Sequence, residues 1–99
     1  MNKELLEKKL RSIGKEIFVE YFEEFRNLTV DREELAIKLL KENPKANSFA
    51  AQKTRISNAR KIFELKMERE ALVNIIESDR LNENIREKAK RIATTIIDV

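Results

Sequence analysis

Five cations, Lys45, Lys53, Arg55, Arg60 and Lys61, fall between Glu42 and Glu64 with no carboxylate among them. Ammonium and guanidinium groups in such a run suit the neutralisation of a polyanion, or else form only a solvated or internally paired face. Each phosphate they meet releases condensed counterions, and a carboxylate on the same surface would oppose that gain. The formal charge of +3 resides in this run, because the segments before and after it each carry one more acid than base.

Other chemistry is poorly supplied. The chain has no histidine and no cysteine, which removes the common general base, the Ser-His and Cys-His nucleophile pairs, and the nitrogen and sulfur ligands of zinc. One glycine excludes a phosphate-cradling Gly-rich loop and a dinucleotide fingerprint. Glu64-Leu65-Lys66 spells the acid-x-lysine half of a magnesium nuclease site, but that site needs a strand and a second carboxylate, and these residues lie in helical pattern. The sequence therefore points to a non-enzymatic protein without a cofactor.

If the basic run is a helix, helix-turn-helix geometry gives its side chains specific roles. Residues 32–42 would cross the backbone and 49–63 would enter a major groove. Lys45, Lys53 and Lys61 would then meet phosphates, while Thr54, Arg55 and Asn58 approach base edges. The connection from Asn43 to Ser48 is longer than the three or four residues usual in such turns. DNA is accordingly the favoured partner. A helical protein-binding module, of inhibitor, immunity or adaptor type from a phage or plasmid, is the alternative, with Glu16, Glu20, Glu23 and Glu24 as an acidic docking face.

The elements that must position these residues are helices. One glycine and one proline leave little material for tight turns or hairpins, and 39% charged residues serve solvated helical faces. Leu6, Leu10, Ile13 and Ile17 recur at helical spacing, with Phe18, Tyr21, Phe22, Phe25 and Leu28 on a neighbouring stripe. Gly14 predicts either a short helix followed by a longer one or a single bent helix. Asp31 and Glu34 have capping-box spacing ahead of Leu35, Ile37, Leu39 and Leu40, and Asn43-Pro44 closes that helix.

Ser48 then caps a helix whose apolar stripe is Phe49, Ile56, Ala59 and Phe63, continued by Met67. Gln52 and Arg60 sit beside this stripe, which predicts a buried-edge amide and a snorkelling arginine rather than surface contacts. The stripe shifts to Ala71, Leu72, Ile75 and Ile76, so a break is expected between Leu65 and Glu70 although no glycine or proline marks it. Ile85, Ala89, Ile92 and Ile96 close the pattern, while Ile97 and Val99 offer a seam for a homodimer. Ninety-nine residues suit one all-α domain of four to six helices, orthogonal or bundle-like, with a helix-turn-helix-like unit inside it. No apolar run reaches the roughly 18 residues of a membrane span, and a cytoplasmic location is expected.

Phe18-Val19-Glu20-Tyr21-Phe22-Glu23-Glu24-Phe25, with Ser48 to Phe63 further on, resembles the helical core-binding segment that precedes the catalytic domain of tyrosine recombinases. The resemblance covers about half the chain and implies a nucleic-acid partner. It carries over no catalytic residue.

Overall fold

A computed structural model describes residues 3–43 and 48–97. Seven helices run through them: α1 (Lys3–Ile13), α2 (Lys15–Glu20), α3 (Phe22–Arg26), α4 (Arg32–Glu42), α5 (Phe49–Glu64), α6 (Glu68–Ile76) and α7 (Glu83–Ile97). No strand occurs among the described residues. The architecture is all-α, with one or more helices beyond the expected number because the N-terminal segment divides into three.

Gly14 causes the first division. Its φ of +91° lies in the left-handed region, which a glycine reaches without the clash a Cβ would meet. The Gly14 N–H still donates to the Leu10 carbonyl at 2.8 Å, so α1 ends satisfied before the chain turns. The second division is milder. Tyr21 relaxes to φ −112° and ψ 23° between α2 and α3, and its hydroxyl donates to the Glu42 carboxylate of α4.

The aromatic stripe is core. Phe18, Phe22 and Phe25 are buried, with the Phe18 ring centroid 5.6 Å from that of Phe22 in edge-to-face contact and 5.8 Å from that of Phe63 in a stacked one. Such pairs add about 0.5–1.5 kcal/mol each beyond the area they bury. Leu28, assigned by spacing to the same stripe, lies past the end of α3 and is 75% exposed.

The expected caps form. Asp31 accepts from the Glu34 N–H at 3.1 Å, and Ser48 accepts from the Ala51 N–H at 3.1 Å. The unmarked break after α5 is a Schellman motif built on a lysine. Lys66 sits at φ +59°, its N–H donates to Phe63, and the Met67 N–H reaches back to Ile62. Ile62 and Met67, the apolar pair that accompanies this motif, are both fully buried.

Helix α5 is the hub, touching α1, α3, α4 and α6, while α7 packs on α2 and α6. Its buried line is Gln52, Ile56, Ala59 and Ile62, which corrects the expected stripe at one end. Phe49 is 36% exposed, and Ile62 takes the place in the core. Likewise Ile37, placed in the α4 stripe by composition, is 48% exposed, and Ala36 is buried instead. The Ile97 and Val99 side chains of the proposed dimer seam lie outside the described residues.

Candidate functional site

The four described cations of the acid-free run do not share one face. Arg55 turns along the helix, donating from Nη1 to the Gln52 Oε1 at 2.8 Å, and its Nε is buried. Gln52 is itself only 1% exposed, so this pair closes a polar edge of the core. Arg60 reaches the other way and ties α5 to the segment between α3 and α4. Its Nη2 donates to the Val30 carbonyl at 2.7 Å and, more loosely, to Asn27 at 3.3 Å and Glu24 at 3.5 Å. Burial pushes the Arg60 guanidinium below its ordinary pKa, with Arg32 adding to this and Asp31 opposing it. Lys61 pairs with Glu64 at 3.3 Å on the exposed end of the helix. Lys45 lies outside the described residues.

Lys53 behaves differently. Its ammonium lies 5.4 Å from the centroid of the Phe49 ring and makes no ion pair among the described residues. Both residues border a shallow groove of about 390 Å³ that runs over the solvent side of α5. Ala50, Thr54, Ser57 and Asn58 form its floor, and Arg32 of α4 closes the far rim. No carboxylate lines this groove among the described residues.

Helices α4 and α1 meet the floor from opposite sides. Arg32 Nη1 donates to the Ser57 Oγ at 3.1 Å. On the α1 side, Asn58 Nδ2 donates to the Ser12 Oγ at 3.0 Å, and Lys9 Nζ donates to the Asn58 Oδ1 at 3.4 Å. The helical positions 54, 57, 58 and 61 project outward as a strip, and at the level of Ser57 and Asn58 the strip is bracketed by Arg32 and Lys9. Of the two acids that flank Arg32 in sequence, Asp31 spends its carboxylate on the α4 cap and Glu33 does not line the groove.

The polar floor is largely engaged. The Thr54 hydroxyl donates to the Ala50 carbonyl one turn back at 3.2 Å, a common habit of mid-helix threonines. Asn58 Nδ2 also donates to the Thr54 carbonyl at 3.1 Å, which together with Ser12 and Lys9 occupies its amide. Of the side chains named for base edges, Thr54 and Asn58 therefore have their donors committed within the protein, and Arg55 gives Nη1 to Gln52.

Of the six residues singled out in the sequence, the groove gathers Lys53, Thr54 and Asn58. Arg55 lies off the outward strip, and Lys61 lies on it beyond the groove, paired with Glu64. The groove adds Arg32, Ser57 and Phe49, and Lys9 reaches it through Asn58. Arg32 and Lys9 carried no signal because nothing in their local pattern fixes which neighbour of α5 they would meet. Phe49 carried a misleading one, since its spacing matches the buried stripe.

The acidic face of residues 16–24 is partly neutralised from within. Lys38 bridges to Glu24 at 3.0 Å and Arg26 to Glu23 at 2.7 Å. Burial, then the charge of Glu16, raises the Glu20 carboxyl above its ordinary pKa. Among the described residues no group of three or more acids could hold a metal ion, and no helix is long and apolar enough to cross a membrane.

Comparison with protein-family models, with curated proteins and with solved structures finds no match. The likeness of residues 18–25 and 48–63 to the recombinase segment gains no support from them.

Proposed function

We propose that this protein binds nucleic acid, DNA by preference, through backbone contacts at the groove shared by α1, α4 and α5, as a binding protein rather than a catalyst. The observation that carries this is that Arg32 and Lys53 line a groove on α5 with no carboxylate in its lining among the described residues, while Lys9 reaches its floor residue Asn58. Three cations from three helices form a compact phosphate-neutralising surface despite the modest net charge. The α4–α5 pair grips the backbone in this scheme, with Lys45 in the connecting loop as a further candidate contact. The committed donors of Thr54 and Asn58 favour binding without base-edge discrimination.

Anisotropy of a labelled oligonucleotide titrated across salt concentrations tests this. Three phosphates neutralised give a log-log slope of about −2 to −3, and Arg32→Gln or Lys53→Gln each lowers its magnitude by about 1. Arg55→Gln leaves the slope unchanged. Absence of binding at about 50 mM salt, or indifference to both groove substitutions, overturns the proposal.

A protein-docking role has one specific observation in its favour. Leu28 is 75% exposed and, with half-buried Phe63, lines a cleft of about 610 Å³ also bordered by Arg26 and Lys66. Exposed apolar groups gathered in a cleft are a familiar feature of partner surfaces. Leu28→Asp would weaken a complex made there and leave polyanion binding intact.

A further inference from the structure

Resting on the nucleic-acid reading above, we infer that the groove takes a single strand in preference to a duplex, with one base stacked on Phe49 and the flanking phosphates against Lys53, Arg32 and Lys9. Phe49 is the aromatic of the groove. Phe18, Phe22 and Phe25 are buried to within 1% of completely, whereas Phe49 leaves 36% of its surface in water, with the Lys53 ammonium, which makes no ion pair among the described residues, over its ring. An aromatic face next to cations is the arrangement by which proteins hold single strands, because every base has a π-face and the phosphates follow the positive charge.

The groove is also the wrong shape for a duplex. A major groove is about 12 Å wide and admits one helix of about 10–12 Å diameter. Here Arg32 from α4 and Ser12 and Lys9 from α1 reach the exposed strip of α5 from either side. Packed helices lie about 8–10 Å apart, and with side chains of both neighbours reaching onto it the strip has little projection with which to enter a major groove. A single strand needs no such projection and can lie along the strip.

The test uses the full chain and three labelled ligands at matched low salt. These are a mixed-sequence dodecamer, the same dodecamer annealed to its complement, and an abasic-spacer oligomer with as many phosphates. The single strand should bind about tenfold more tightly than either of the others. Phe49→Leu should remove that advantage, Phe49→Tyr should keep it, and neither should alter binding of the abasic oligomer. Thermal melts of both variants check that the fold is retained. Equal binding of all three ligands with steep salt dependence overturns the stacking inference and leaves the phosphate-binding site standing. Tighter binding of the duplex does the same. Failure of all three to bind overturns both.

Discussion

Replacing Arg60 by methionine should unfold the protein more readily without touching ligand binding, and the size of the effect follows from what the guanidinium holds. Its Nη2 donates to Val30 at 2.7 Å, while the contacts to Asn27 and Glu24, at 3.3 and 3.5 Å, lie at the weak end of hydrogen bonding. Loss of a charge-assisted bond costs about 1.5–3 kcal/mol. Methionine keeps most of the apolar stem, so the packing contribution of the side chain is largely retained. A net loss of about 2 kcal/mol results, lowering the melting temperature by about 8–16 °C for a domain of this size. Lys61→Met, one residue along, removes only an exposed pair with Glu64 and should cost under about 1 kcal/mol. Circular-dichroism melts and urea titrations of the two variants read the difference. Equal stabilities refute the structural role of Arg60. So does an Arg60→Met protein that melts normally but has lost part of its salt-dependent binding, since the guanidinium would then be a ligand contact.

Three further outcomes test individual features of the fold. Lys66→Gly should raise the urea midpoint by about 1 kcal/mol of stability, because glycine relieves the left-handed backbone that a lysine occupies at φ +59°; Lys66→Ala, which keeps the Cβ, should give no such gain. Burial first, and then the hydrogen bond to Glu42, pushes the Tyr21 hydroxyl up to about 12. The raised value stabilises the fold fully below the ordinary pKa of 10.0, and the contribution is lost as pH rises through about 12. With one tyrosine and no tryptophan in the chain, tyrosinate absorbance reports this directly, and Glu42→Gln should lower the midpoint without returning it to the ordinary value. The Asn74 amide, and secondarily Lys15, hold the Glu7 carboxyl below its ordinary 4.5. That contribution is present above pH 4.5 and fades as pH falls through the lowered value, so Glu7→Gln should flatten the acid limb of the stability curve.

The helices were legible where a local rule governs them. Asp31 and Ser48 cap as their spacing requires, Gly14 breaks α1 from α2, and the crowded phenylalanines of residues 18–25 are core. Register beyond the first turn was less legible. A helix such as α5, packed by several neighbours, has a broad buried arc, so periodicity alone could not decide between Phe49 and Ile62. The Schellman turn at Lys66 showed only as the shift of the apolar stripe between Leu65 and Glu70, because its usual glycine is missing. The groove was half visible: Lys53, Thr54 and Asn58 share a face by helical geometry, but Arg32 and Lys9 join them only through tertiary packing across 25 and 49 residues of sequence.

The missing acids of residues 43–63 have two separate explanations once the helix is placed. At positions 55 and 60 the fold itself forbids a carboxylate, which would lie against the Gln52 carbonyl oxygen or the Glu24, Asn27 and Val30 carbonyls with no donor to meet. The groove positions are under no such constraint. A glutamate in place of Ser57 would stand beside the Arg32 guanidinium, now 3.1 Å from the serine hydroxyl, and would exchange a hydrogen bond to a neutral hydroxyl for an exposed ion pair at little or no cost in stability. Packing therefore does not account for the absence of acid there; under the proposed nucleic-acid role, a carboxylate would both neutralise Arg32 and repel the strand. Ser57→Glu should accordingly melt within a few degrees of the unmodified protein and lose nearly all oligonucleotide binding. A variant that is equally stable and binds as before would show that the charge gap over the groove has no bearing on a polyanion.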